Sequence, residues 1–119
     1  MNTNFENIHN IIEWAKEVNF AITVTDINDN IIYMNNKSNA TFSNIKIGDN
    51  LAKCHNQNSN EIINNIKKEN ITNTYTIQKD GIKKIIHQTP WYSNGVVSGI
   101  VELSIVLPDN MSHHNRDNK

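Results

Sequence analysis

Few residues in this sequence carry chemistry, and they do not form a catalytic pattern. Cys54 and His55 are adjacent, and a neutral imidazole can ligate haem iron or another metal, or contact a different ligand. Neighbouring residues on a helix point about 100° apart, so the two side chains are not expected to reach one pocket. No nucleophile–base–acid triad, catalytic carboxylate pair, Gly-x-Gly phosphate loop or zinc motif can be read. We therefore expect no enzymatic activity and no metal, unless His55 binds haem.

A second candidate is the pair formed by His87 and Glu102. Two long β-rich runs in residues 82–107 flank the Asn-Gly dipeptide at 94–95, which is typical of a two-residue hairpin turn. Such a turn predicts that His87 lies opposite Glu102 and that both share the outer face with Trp91. The pair is then either a pH-sensitive contact or a structural cross-strand pair. A longer turn would move the register by one residue and reverse the faces.

The same register predicts the ligand-facing side of the sheet. The more apolar face of the hairpin becomes the inner face, and Tyr or Gln side chains there can supply hydrogen bonds inside an apolar cavity. Each candidate can equally be a core or surface residue that meets no ligand. The pocket candidates are Tyr33, His55, Ile63, Ile66, Tyr75, Ile86, Gln88, Val101 and Leu103.

Length and composition indicate one small folded domain. The 119 residues carry a net charge of −1, which leaves no electrostatic footprint for nucleic acid or an anionic membrane. Cys54 is the single cysteine, so an internal disulfide is excluded and a reducing cytoplasm is expected. The N-terminus has neither the basic region of a signal peptide nor an apolar membrane span.

Periodicity positions these residues on an α+β pattern. Apolar residues at helical spacing predict an N-terminal amphipathic helix, followed by a hairpin, short helices, one longer helix and three strands. We predict the helix in residues 1–19, the domain in 20–108 and a disordered polar tail in 109–119. The predicted strands are 20–27, 31–35, 71–78 and the two runs of 82–107; the predicted helices are 5–18, 36–42, part of 45–55 and about 58–70.

The N-terminal helix needs an apolar surface, either on its own domain or on a partner. Together with the outer face of the closing hairpin, it is the expected site of a homodimer or partner contact. This contact set comprises Phe5, Ile8, Ile12, Trp14, His87, Trp91 and Glu102.

The chain resembles the PAS domain family in three places. AITVTDINDNIIYMNNKSNATF at 21–42 resembles the opening hairpin, IKIGDNL at 45–51 the Gly-bearing connector, and GIKKIIHQTPWYSNGVVSGIVELSIVL at 81–107 the long closing hairpin. The resemblance implies a five-stranded antiparallel sheet with short helices on one face and a small cavity between them. It also implies a sensory or dimerising role.

The resemblance also bears on cofactors. Family members with haem usually carry the ligand on the long helix, which has no His here. Flavin-binding light sensors of the family have an Asn-Cys-Arg-Phe-Leu-Gln motif, whereas residues 50–55 read NLAKCH. A reactive flavin site at Cys54 is thus disfavoured, and the cofactor stays unknown.

Three hypotheses remain after this reading. The first is a cytoplasmic sensor that binds a small, mainly apolar ligand and signals through a homodimer or a separate signalling protein. The second is a ligand-free interaction or dimerisation module. The third is a haem-based gas or redox sensor that uses His55. The family usually accompanies an output domain, and the sequence shows none, so we expect the output to come from a partner.

Overall fold

The computed structural model describes residues 13–117 and shows an α+β fold. Residues 13–17 are helical. The elements that follow are β1 (Ala21–Asp26), β2 (Ile31–Met34), α1 (Asn36–Thr41), a 3-10 turn (Leu51–Lys53), α2 (Gln57–Glu69), β3 (Asn73–Lys79), β4 (Ile82–Ser93) and β5 (Val96–Val106).

The five strands form one antiparallel sheet in the order β2-β1-β5-β4-β3. Short turns join three antiparallel pairs of consecutive strands, β1–β2, β3–β4 and β4–β5. The segment that contains α1 and α2 crosses from β2 to β3. Helix α1 packs against β1 and β2, and α2 packs against β4 and β5. Ile66 of α2 is fully buried and contributes about 2 kcal/mol of apolar burial. The predicted fold class is confirmed.

The closing hairpin has the predicted turn but not the predicted register. Asn94 and Gly95 have φ of 52° and 80°, a backbone that both residues tolerate. The pairing then shifts by one residue between Trp91 and Tyr92, because Ser98 of β5 is an extra residue in the ladder. Beyond this β-bulge, the partner of Glu102 is Gln88, and His87 is opposite Leu103. The predicted His87–Glu102 pair is therefore wrong.

Gly99 explains why a bulge forms at this point. The indole N–H of Trp91 crosses over Gly99 and donates to the carbonyl oxygen of Thr25 on β1, at 2.9 Å. A Cβ at Gly99 would lie 1.9 Å from that oxygen and 2.6 Å from the indole nitrogen. Only glycine lets the Trp91 indole and the Thr25 carbonyl oxygen come this close, so Gly99 determines where the register changes.

Asn35 joins the helical residues 13–17 to the sheet. Its side-chain oxygen accepts from the backbone N–H groups of Ile22 and Ser38, both at 2.9 Å. Its side-chain nitrogen donates to the carbonyl oxygens of Ala15 and Phe20, also at 2.9 Å. The side chain is fully buried, and all of its hydrogen-bonding groups have partners.

The ends of the chain leave some expectations untested. Phe5, Ile8 and Ile12 lie outside the described residues, and Trp14 is 57% exposed. Residues 107–117 contain no helix or strand, and the disorder of the tail stays a prediction. Within residues 13–117, no helix is long and apolar enough to span a membrane.

Candidate functional site

A cavity of ≈ 110 Å³ lies between the sheet and the segment that connects β2 to α2. Cross-strand partners share a face, so β1, β4 and β5 present one set of side chains to it. Most of the wall surface is apolar, although seven of the thirteen wall residues are polar. The apolar wall consists of Phe42, Ile45, Leu51, Ala52, Ile63 and Ile100, and the polar wall of Thr23, Thr25, Asp29, His55, Asn60, Gln88 and Glu102.

A wider depression of ≈ 450 Å³, here called the vestibule, adjoins the cavity between α2 and β3. It shares His55, Ile63, Gln88 and Glu102 with the cavity, so these four side chains form the boundary between the two spaces. Tyr75 lies on the vestibule side. Burial and the neighbouring Glu102 charge raise the pKa of the Tyr75 hydroxyl. The phenol therefore stays a neutral donor at physiological pH.

Glu102 is held by a chain of side-chain hydrogen bonds. Asn73 Nδ2 donates to Gln88 Oε1 at 2.9 Å, which fixes the orientation of the Gln88 amide. Gln88 Nε2 then donates to Glu102 Oε2 at 2.8 Å. Burial raises the pKa of the Glu102 carboxyl; the Gln88 hydrogen bond and the His55 charge oppose this rise without cancelling it. Burial thus dominates at Glu102, since it penalises the charged form.

Two buried polar atoms of the wall have no partner. Thr25 Oγ1 and His55 Nδ1 make no hydrogen bond in the described structure. An unsatisfied buried group costs about 1–3 kcal/mol, so such atoms are uncommon in a filled core. Thr23, two residues earlier on the same face, behaves differently because its hydroxyl is 2.5 Å from that of Ser38.

Asp29 is the other acidic residue of the wall, and it is neutralised. Lys67 of α2 places its ammonium 2.8 Å from Asp29 Oδ1 and also donates to the carbonyl oxygen of Ile27, at 2.9 Å. Both charged side chains are largely buried. The ion pair fastens α2 to the β1–β2 turn and leaves Asp29 without free charge.

Local capping places His55 beside the sheet. Helix α2 begins after Asn56, whose side chain accepts from the backbone N–H of Ser59 at 2.8 Å. Asn60, one turn into α2, donates to the carbonyl oxygen of Ala52 at 2.9 Å and joins the helix to the 3-10 turn. His55 lies between these two fastened elements, so its ring position is defined by both.

The structure brings four of the nine predicted pocket residues to this site. His55, Ile63 and Gln88 line the cavity, and Tyr75 lines the vestibule. Ile66 and Ile86 are buried in the core but line neither space. The remaining three, Tyr33, Val101 and Leu103, face the opposite side of the sheet, as their pairings with Val24, Val24 and His87 show.

The bulge explains why Val101 and Leu103 face away from the cavity, because a shift of one residue moves the side chains of a whole strand segment to the other face. Tyr33 belongs to β2, and its buried hydroxyl has no partner in the described structure. Burial and the charge of Glu13 raise the pKa of that hydroxyl. The proximity of Glu13 places the helical residues 13–17 near this outer face.

The predicted contact set is divided in the same way. Glu102 was expected on the outer face and lies in the cavity instead, for the same reason as above. His87 does lie on the outer face, where its Nδ1 is 2.7 Å from the hydroxyl of Thr74. Trp91 donates to Thr25, and Trp14 is exposed. Contact with a partner stays a prediction for these residues.

Sequence reasoning missed the polar residues of β1 and the position of Glu102. Thr23 and Thr25 alternate with apolar residues, and no face was predicted for this strand; the more apolar face was assigned inward only for the closing hairpin. One signal for the correct register was present: an isolated glycine inside a strand, Gly99, often marks a bulge.

The cavity does not fit a haem. A space of ≈ 110 Å³ is much smaller than a porphyrin. For a metal ion without a porphyrin, no three His, Cys, Asp or Glu side chains are grouped within residues 13–117. Cys54 is exposed and does not line the cavity. Its Sγ lies 3.6 Å from the carbonyl oxygen of Asn50.

Comparison with known proteins finds matches among solved structures and none by sequence. No protein-family model matches the chain, and no curated protein matches it. The PAS domain of an HTR-like protein from Haloarcula marismortui is 12% identical, with a TM-score of 0.63 over 86% of this chain and 93% of its own. A PAS domain from Colwellia psychrerythraea is 23% identical, with a TM-score of 0.59 over 85% and 97%.

A third similar structure is described as VqmA bound to DPO; VqmA of Vibrio cholerae is also among the matches. The VqmA structure bound to DPO is 17% identical, with a TM-score of 0.65 over 83% of this chain and 57% of its own. The strand order, the helices on one face, the cavity and these three structures agree with the resemblance seen in the sequence. The chain has the fold of a PAS domain.

Proposed function

We propose that this chain is a sensory module that binds a small, mainly apolar ligand in the cavity. The observation that carries the proposal is the pair of buried, unpartnered polar atoms, Thr25 Oγ1 and His55 Nδ1, in a wall whose exposed surface is mainly apolar. Ligand sites typically combine an apolar lining with a few placed polar groups. Structures with the same fold include a sensor histidine kinase of Vibrio cholerae and VqmA bound to DPO, which supports sensing of a small molecule.

A continuous hydrogen-bond route supports transmission from the cavity to the N-terminal segment. The hydroxyl of Thr23, on the cavity wall, contacts that of Ser38, whose backbone N–H donates to Asn35 Oδ1. Asn35 Nδ2 donates to the carbonyl oxygen of Ala15. A ligand that binds one arrangement of this route more tightly than another shifts the population between them.

The output is a protein–protein contact through the N-terminal segment, in a homodimer or with a separate signalling protein of the cytoplasm. Trp14 lies in this segment and is 57% exposed, so it is available to a partner. The net charge of −1 favours a protein over nucleic acid or a membrane surface.

The test fills the cavity with one side chain. Ala52 lines the cavity, and Ala40 is exposed on α1, so Ala52→Phe and Ala40→Phe are matched substitutions. Wild type and both variants are purified from the same cells, and small molecules released on denaturation are identified by mass spectrometry. A fragment set of single-ring compounds is then screened by thermal shift. We expect wild type and Ala40→Phe to retain a ligand from the cells or to bind a fragment from the set. Ala52→Phe should fold but should bind neither. Equal results for the two variants would contradict the proposal.

A ligand-free interaction module is the second candidate, favoured by the edge strand β3. Its side chains Tyr75 and Ile77 are exposed, as is Ile82 at the start of β4. Sedimentation of Ile77→Lys, with Thr76→Lys as the control on the other face, tests this surface. Association that Ile77→Lys alone abolishes, together with an empty cavity, would favour this candidate over the sensor.

A further inference from the structure

Glu102 is the acidic group of the cavity that has no lysine or arginine paired with it among the described residues; the nearest titratable base is His55. Asp29, the other acid of the wall, is paired with Lys67 at 2.8 Å. No salt bridge among the described residues reaches Glu102, and its Oε2 accepts from the neutral amide of Gln88. The second oxygen, Oε1, has no hydrogen-bond partner in that part of the chain. A mostly buried carboxylate with a free oxygen is a strong acceptor for a positively charged donor.

An independent observation points to a ligand at the same place. Thr25 is 4% exposed, lines the cavity, and its hydroxyl has no partner. The buried His55 Nδ1 is also unpartnered and borders both the cavity and the vestibule. The remaining wall surface is mainly apolar and is formed by residues such as Leu51, Ile63 and Ile100. The site thus offers one acidic point, two unpartnered polar points and a mainly apolar body.

We infer that the ligand is a compact nitrogen base, an amine, amidine or protonated heterocycle, whose charged nitrogen donates to Glu102. Its apolar part lies against Ile63 and Ile100, and its remaining polar atoms meet Thr25 and His55. The enclosed cavity of ≈ 110 Å³ is smaller than the about 150 Å³ that holds benzene, so the enclosed part is at most about one ring. The charged nitrogen then lies at the boundary with the vestibule, which Glu102 also lines. This inference rests on the proposed function, because it names the ligand class of the same cavity.

Three probes of nearly equal shape separate charge from shape. Benzamidine, benzamide and benzoate are cationic, neutral and anionic, and each carries one ring. Their affinities are measured by calorimetric titration into wild type, Glu102→Gln and Glu69→Gln, which removes an exposed carboxyl of α2. We expect wild type to bind benzamidine at least about tenfold more tightly than benzamide, with benzoate weakest. Glu102→Gln should reduce that preference to within about twofold, and Glu69→Gln should keep it.

Several outcomes would overturn the inference. These are equal or tighter binding of benzamide or benzoate to wild type, no binding of any probe, or a charge preference that survives in Glu102→Gln. If Glu102→Gln does not fold, the order of the three probes on wild type decides. Thr25→Val provides a second check, since it should weaken benzamidine by about threefold and leave the order of the probes unchanged.

The proposed function is judged separately from this inference. A molecule that wild type and Ala40→Phe retain and Ala52→Phe lacks would uphold the sensor. If that molecule contained no basic nitrogen, the ligand class would be wrong while the sensor stood. If the two alanine variants behaved alike, both proposals would fail.

Discussion

Two polar clusters lie under the helices of this molecule, and they differ in how completely they are paired. At Asn35, every side-chain polar group has a hydrogen-bond partner, and the residue is fully buried. In the cavity, Thr25 Oγ1 and His55 Nδ1 have none, and burial raises the pKa of Glu102. Paired polar groups in a core stabilise the fold and define its geometry, whereas unpaired ones cost stability. The first cluster is structural; the second is the one for which we propose a ligand.

The largest effect is expected at the paired cluster. Asn35→Ala leaves two backbone N–H groups and two carbonyl oxygens without partners, so the free energy of unfolding should fall by about 4 kcal/mol. Chemical denaturation measures it, with the exposed Asn36→Ala as the control, for which a change within about 0.5 kcal/mol is expected. Similar values for the two variants would remove the contrast between the clusters.

The acidic residues of the cavity provide the next test. Lys67→Met removes the partner of Asp29 and leaves a buried carboxylate, so a loss of about 3 kcal/mol is expected. Lys68→Met, the same change at the exposed next position of α2, should cost little. Denaturant midpoints of both variants are compared with wild type. A loss at Lys67 no greater than at Lys68 would mean that Asp29 is not compensated as described.

Thr23 and Thr25 form a matched pair on β1, equally buried at 4% exposure. Thr23→Val removes the hydrogen bond to Ser38 and should cost about 1.5 kcal/mol. Thr25→Val removes an unpaired hydroxyl, so the protein should be unchanged or stabilised by up to about 1 kcal/mol. Thermal and denaturant unfolding measure the free energy of unfolding of both variants. It should fall in Thr23→Val and should not fall in Thr25→Val. Equal destabilisation would show that the Thr25 hydroxyl is paired after all.

The smallest effect is the pH dependence that Glu102 confers. Its pKa is raised above the ordinary value of 4.5, so the folded state holds its proton more firmly than the unfolded state. Stability is therefore fully present below the ordinary pKa and is lost as pH rises through the raised pKa. Glu102→Gln should match wild type in acid and exceed it near neutral pH, on the order of 1 kcal/mol. Unfolding from pH 4 to 8 measures this, and a gap that narrows with rising pH would contradict the assigned direction.

Much of the fold follows from local sequence. Alternating apolar residues predict the strands, and the Asn-Gly and Asp-Gly dipeptides predict the tight turns, because these rules depend on residues near each other. The candidate site was predicted less well. Gln88, His55 and Ile63 were assigned to it from their patterns, while Val101 and Leu103 were assigned to the wrong face.

The sequence by itself determined the order of elements, the turn at 94–95 and the antiparallel sheet, since each depends on local backbone preference and periodicity. The tertiary structure alone decided the register beyond that turn. Trp91 can reach the Thr25 carbonyl oxygen on β1 only across a residue without a side chain, and Gly99 meets that need. That contact joins residues 66 positions apart in the chain, and it turns Glu102 from the outer face into the cavity. A one-residue shift in a ladder reverses every side chain beyond it. An isolated glycine in a strand signals that a bulge can form there, but the chemistry of the site depends on a contact that only the folded chain makes.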